Sequence, residues 1–393
     1  MDFDPQWLLW LVVAFGVAFA LGWLASRLDV RQSQRERRES PKAYYKGLNL
    51  LLNEQHDKAI DAFITAVQED PDTSELHFAL GDLFRRRGEY ERAVRVHQHL
   101  LGRADLTKQE RDAAQHGLAQ DYMKAGLVDR AEEAYRALAG TSFDTEARLA
   151  LLDLHERSRD WRAAVEVAEQ LEKSGSGSFA SRIAHYQCEL ALEADAAGQH
   201  AEAEAALARA RDASPGDARP LVLAGEHAAA RGDASAALRW WNTLMAVRPA
   251  AFNLVARRYA SLARSAGDVG ALARLRTLYD KSPTLELLEA IASLEPDAQS
   301  RRERLLGHLR DHPTLAAAHA LLAAPAAEAS SPDGGATTAT VETAAVRDAV
   351  RRAARPLHRY RCAACGFEAE HYFWQCPGCL GWDTYPPQRL EDQ

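Results

Sequence analysis

The chain has 393 residues, 47% hydrophobic but only 8% aromatic, and a net charge of −8. That is material for two or three domains or one long repeat array, and the weight on alanine and leucine favours packed helices over strands. Residues 27–46 carry seven Lys/Arg against three acids and residues 341–361 carry six against two, leaving −16 elsewhere, which argues against broad nucleic-acid binding.

From Pro5 to Ser26 runs PQWLLWLVVAFGVAFALGWLAS, 22 residues without a charge. At about 1.5 Å per residue it can cross a hydrocarbon core of about 30 Å. Trp7, Trp10 and Trp23 lie near its ends, where amphipathic rings prefer the interface. Asp2 and Asp4 precede it and no small-residue cleavage site follows, so a retained anchor is expected rather than a signal peptide. Arg27, Arg31, Arg35, Arg37 and Arg38 come next. The positive-inside rule then predicts one pass, with the N-terminus outside the inner membrane and the remainder in the cytoplasm. Ala14, Ala18 and Gly22 recur every fourth residue, which reads either as ordinary membrane-helix composition or as a face for a partner helix.

The body repeats. Gly47 and Gly81 stand 34 residues apart, as do Ala59 and Ala93, and so do Pro215, Pro249 and Pro283 in turn. In the first unit Gly47, Ala59, Phe63, Ala66 and Pro71 fall at the small, small, aromatic, small and proline positions of a tetratricopeptide (TPR) repeat. Small residues let two antiparallel helices touch, the ring fills the gap to the next unit, and proline ends the second helix. Seven repeats and one degenerate one are expected over 43–324, an all-α solenoid that binds segments of other proteins. Candidate chemistry inside it is thin. His97 and His99, or His116 and Asp121, read as scattered surface residues rather than ligands, and Cys188 as a small packed hydrophobe. No nucleophile stands beside a base, so no enzyme is expected.

Residues 325–342, rich in Ala, Ser, Thr, Gly and Pro, read as a flexible linker. A short helix over 343–357 follows, which either closes the solenoid or leads into the tail. Arg351, Arg352, Arg355, Arg359 and Arg361 read as a solvated face rather than a nucleic-acid site.

At 358–389 lies a small metal ribbon. Cys362, Cys365, Cys376 and Cys379 form C-x2-C-x10-C-x2-C. A two-residue gap lets both thiolates of a pair meet one ion, with the turn aiming N–H groups at sulfur. Gly366 permits a left-handed turn after the first pair, and Pro377 and Gly378 shape the second. Four thiolates suit zinc, with iron as competitor; disulfides need an oxidising compartment, which the arginines after the anchor exclude. Tyr372, Phe373, Trp374, Trp382 and Tyr385 are too many for so small a unit to bury, so some are expected to pack on the solenoid, on its concave side or last repeats.

Anchor (1–27), basic segment (28–42), TPR array and ribbon together resemble the lipopolysaccharide assembly protein B family, most sharply in YRCAACGFEAEHYFWQCPGCLGWDTYPP. The resemblance implies an inner-membrane adaptor that restrains lipopolysaccharide synthesis. It would present the deacetylase LpxC to the membrane protease FtsH, organise assembly enzymes, and answer to another inner-membrane protein through the anchor. It also implies Cys362, Cys365, Cys376 and Cys379 as metal ligands. A homodimer is compatible with it, and the alternative is a rubredoxin-like electron carrier tethered by a TPR domain.

Overall fold

The computed structural model describes residues 45–50, 52–53, 55–69, 73–295, 297–323 and 338–392, with Phe19 and Trp23. The expected anchor is otherwise outside the described residues, as are the basic segment, Pro71 and most of the expected linker. Among the described residues no helix is long and apolar enough to cross a membrane. The chain divides into two compact units, Met1–Arg159 and Asp160–Gln393.

In the first unit, helical residues 45–50 are followed by α1 (His56–Glu69), α2 (Ser74–Arg87), α3 (Tyr90–Gly102), α4 (Lys108–Lys124), α5 (Val128–Arg136) and α6 (Asp144–Ser158), each packed on the next from α1 onward. Local chemistry sets the ends. Gly88, at φ 84, lets the chain leave α2 while its N–H bonds back to the Arg85 carbonyl, and Thr107 and Glu110 form a reciprocal capping box at α4. The repeat signature has a steric meaning. A Cβ on Gly47 would lie 2.7 Å from the Phe63 ring, and one on Gly81 would lie 2.6 Å from the ring of His97. Each glycine thus faces a ring 16 residues on. His97 also meets Gly117 of the following pair, so a ring does fill the gap to the neighbouring unit.

The second unit contains α7 (Trp161–Lys173), α8 (Ala180–Ala196), α9 (His200–Ala213), α10 (Ala218–Ala230), α11 (Ala234–Val247), a 3-10 turn (Pro249–Leu254), α12 (Ala256–Ser265), α13 (Ala271–Lys281), α14 (Leu285–Leu294), α15 (Ala298–Asp311) and α16 (Leu315–Ala323). Its period shows in the core: Ala203, Ala237 and Ala271 are all 0% exposed, and Trp241 fills the space over Gly225 as Phe63 does over Gly47. The all-α TPR solenoid is thereby established.

Helix α17 (Thr338–Ala354) packs on α16, so it continues the helical stack. It begins inside the stretch expected as linker to 342. No glycine or proline follows Gly335 until Pro356, so nothing in that run opposes a helix. Beyond it, β1 (Tyr360–Arg361) pairs antiparallel with β2 (Glu368–Ala369), and a 3-10 turn (Leu390–Asp392) ends the described chain.

Candidate metal centre

The four cysteines are brought together by two knuckles of the same build. In the first, the Gly366 N–H donates to the Cys362 carbonyl (2.9 Å) and the Cys362 N–H to the Phe367 carbonyl (2.9 Å). In the second, the Leu380 N–H donates to the Cys376 carbonyl (2.8 Å) and the Cys376 N–H to the Gly381 carbonyl (2.9 Å). The residue after each pair is left-handed: Gly366 at φ 78, Leu380 at φ 59. The left-handed turn of the second knuckle therefore falls on Leu380, a residue with a side chain in a region that ordinarily costs one about 1–2 kcal/mol. Gly378 is needed for a different reason. A Cβ there would lie 3.3 Å from the Phe367 side chain and 3.4 Å from the Cys365 sulfur, so it lets the knuckles close.

All four sulfurs lie within 4.8 Å of one another, with Cys362–Cys379 at 3.8 Å and Cys365–Cys376 at 3.6 Å. A tetrahedron with metal–sulfur bonds of about 2.3 Å has edges of about 3.8 Å, so the donor set fits a single ion. None of the five cysteines forms a disulfide. Loss of solvation pushes the Cys362 thiol up, but hydrogen bonds from Thr384 and from the Cys365 and Ala364 N–H groups outweigh it and bring it to about 6. At Cys365 the Phe367 N–H pulls down, yet desolvation and the three facing sulfurs push the thiol up to about 12. Four sulfurs this close cannot all shed protons without a cation between them.

Around them the aromatic residues divide. Tyr385 and Tyr360 are buried inside the ribbon; the Tyr385 hydroxyl donates to the Phe367 carbonyl (3.2 Å) and the Tyr372 hydroxyl to the Tyr385 carbonyl (3.1 Å). Trp382 and Trp374 face the solenoid. Trp382 stacks on His185 and meets Trp161 and Tyr186 edge-on, at centroid distances of 6.1 and 6.2 Å, while the Arg219 guanidinium sits 5.4 Å from its ring. Asp383 accepts a hydrogen bond from His185 Nε2 (2.7 Å). Farther along, Arg389 pairs with Glu286 (2.8 Å) and donates to the His358 carbonyl (2.6 Å). Glu391 accepts from the Leu315 and Ala316 N–H groups at the positive end of α16. The ribbon thus grips α8, α10, α14 and α16, each the first helix of its pair, together with Trp161 of α7.

The other residues singled out from sequence lie elsewhere. Asp121 joins His97 (2.6 Å) and Arg85 (2.7 Å) in a buried network, rather than His116, which stacks on Phe143. His99 stacks on His77. Cys188 is 0% exposed, and burial pushes its thiol up to about 12. One cluster had no motif to reveal it: Asp195 accepts from His227 Nδ1 (2.8 Å) and His200 Nδ1 (3.1 Å). Its carboxylate is already satisfied by two ring N–H groups, so the trio is closed on itself.

Residues 360–386 match the family model described as rubredoxin metal binding domain, and residues 44–114 and 116–179 match a tetratricopeptide repeat model. The chain is 33% identical over 385 residues to lipopolysaccharide assembly protein B of Escherichia coli (strain K12), covering 96% of this chain and 98% of that one. It is 26% identical over 396 residues to the protein of the same name in Haemophilus influenzae, covering 96% and 97%. With a repeat solenoid, a four-sulfur ribbon seated on it, and full-length likeness to these relatives, the chain belongs to the lipopolysaccharide assembly protein B family.

Proposed function

We propose that this protein is a membrane-anchored adaptor that regulates lipopolysaccharide synthesis by presenting the deacetylase LpxC to the membrane protease FtsH. In this reading residues 1–27 span the inner membrane with the N-terminus in the periplasm, and the solenoid and ribbon work in the cytoplasm. Cys362, Cys365, Cys376 and Cys379 hold one zinc ion, which fixes the two knuckles and so orients Trp374, Trp382 and Asp383 toward the helices. The chain's own residues make and break no bond. The anchor raises the local concentration of solenoid beside membrane enzymes without adding contacts.

The observation that carries the reading is the seating of the ribbon across the first helices of four pairs, α8, α10, α14 and α16. A solenoid face closed by a rigid metal ribbon is a composite surface for gripping a client, whereas an electron carrier needs no such clamp. The test is co-purification from membranes, comparing the full chain, a chain beginning near Ser40, and the Cys362→Ser/Cys376→Ser variant. The full chain is expected to recover protease and deacetylase together, the shortened chain to lose the protease, and the cysteine variant to lose the deacetylase. Recovery of neither enzyme by the full chain sinks the proposal.

A further inference from the structure

Away from the four sulfurs, the end of the second unit forms a cleft of about 970 Å³ that is open to solvent, walled by α12, α14, α15, α16 and α17. Its volume lies at the upper end of the range for small-molecule sites, about 300–1,000 Å³. The wall is of two kinds. Leu285, Leu305, Ala292, Ala316 and Ala320 supply an apolar surface, which results from the small residues that the α14–α16 packing uses. Five arginines, Arg257, Arg301, Arg351, Arg352 and Arg355, line the same space against a single carboxylate, Glu289.

The charges are unevenly satisfied. Arg257 pairs with Glu289, Arg351 with Asp348 (3.3 Å) and Arg355 with Glu370 of the ribbon (3.6 Å). Arg301 on α15 and Arg352 on α17 form no ion pair among the described residues. Most of these guanidinium groups stand in solvent, Arg351 65% and Arg355 80% exposed, but gathered beside one apolar wall their positive potentials add, and their planar fork matches phosphate and carboxylate oxygens. A purely polar anion would leave the leucine and alanine wall wetted, and a neutral apolar molecule would leave Arg301 and Arg352 without an ion-pair partner.

We propose that this cleft binds an anionic amphiphile, with an acyl-type chain against Leu285, Leu305 and Ala320 and a phosphate head held by Arg301 and Arg352. Arg355 lines the cleft and also reaches Glu370, so an occupant there touches a residue that ties α17 to the ribbon. The adaptor reading is not needed for this inference, and direct binding to the purified chain tests it separately.

The probe is an oleoyl lysophosphatidate analogue carrying a diazirine on its chain, added to purified full-length protein from phosphatidylcholine vesicles and mapped by peptide mass spectrometry. Labelling is expected on α14, α15 and α16. It should be competed by unlabelled lysophosphatidate, but not by lysophosphatidylcholine or by inorganic phosphate. Arg301→Glu/Arg352→Glu, which alters one half-buried and one exposed position, is expected to lower labelling about tenfold or more, as loss of charge-assisted hydrogen bonds implies. Ala292→Phe, which keeps the charge and fills the apolar part, should lower it as well, with circular dichroism checking the fold of both variants. Labelling confined to other helices, equal labelling of the folded double variant, or competition by inorganic phosphate alone overturns the proposal. So does displacement of the probe by an acidic peptide together with no competition from unlabelled lysophosphatidate.

Discussion

Trp382 lies face to face on His185, ring centroids 4.6 Å apart and planes 17° from parallel, although 197 residues separate them in the chain. Asp383, the next residue, takes the His185 Nε2 proton as a hydrogen bond, so one turn of the ribbon engages both the face and the edge of one buried imidazole. Trp382→Ala removes that stack, two edge-on aromatic contacts and the Arg219 cation–π contact. Docking should weaken by about 2–4 kcal/mol, given roughly 0.5–1.5 kcal/mol for each aromatic pair and a similar value for the cation. Hydrogen exchange should then rise across 372–385 and in α8 while bound metal stays constant; unchanged protection would show that the seat is held elsewhere. Trp382→Phe should recover part of the effect.

Metal is predicted at one zinc ion per chain, read by elemental analysis of purified protein. Cys376 is 0% exposed and faces the Cys365 sulfur, so Cys376→Ser removes a ligand and leaves a buried hydroxyl. Metal content should fall by at least about tenfold, since structural zinc is worth roughly 10–16 kcal/mol to small domains and three thiolates hold it less well. The ribbon amides should lose protection while the helices of the first unit keep theirs. A red, reversibly bleaching protein with stoichiometric iron would favour the electron-carrier alternative.

Periodic features were legible from sequence, and contacts between distant surfaces were not. The 34-residue spacing of Gly47 and Gly81 reports a steric need that recurs at Gly225, and the C-x2-C pairs report a coordination geometry set within five residues. That the aromatic tail must find the solenoid followed from its excess of rings. Which ring met which helix did not follow, because His185 and Arg219 look like any polar residues on a solenoid helix until the ribbon covers them. Leu380 escaped notice for a related reason: glycine advertises a left-handed turn, whereas a leucine held there by its knuckle does not. The histidine that replaces an aromatic residue at position 97 likewise hid the Asp121 and Arg85 network.

Two helical glycines should respond to alanine with opposite signs. A Cβ on Gly225 would run into the Trp241 ring at Nε1, inside a core where Trp241 is 1% exposed. Gly225→Ala must displace that ring and should cost roughly 2 kcal/mol, overriding the helix preference for alanine. Gly307, inside α15, has nothing within 4 Å of its notional Cβ. Gly307→Ala should instead stabilise by about 0.5–1 kcal/mol. Thermal unfolding of the two variants checks the pair, and equal shifts would mean that propensity rather than packing governs both sites.

Asp392 supplies the pH prediction. Desolvation first, then the nearby Glu286 and Glu391 carboxylates, raise its carboxyl from 3.8 to about 6, with Arg389 only partly offsetting them. Because the folded value lies above the unfolded one, the fold prefers the protonated form. The penalty is therefore absent below about pH 4, grows between pH 4 and 6, and is complete above pH 6. Asp392→Asn should relieve it, stabilising the docked tail at pH 7 by about 1 kcal/mol once the group's partial exposure is discounted. At pH 4 the variant and the parent should unfold alike. Hydrogen exchange across 385–392, followed from pH 4 to 8, reads the difference directly. A benefit of equal size at both ends of that range would assign the effect to the amide's hydrogen bonds instead of to charge.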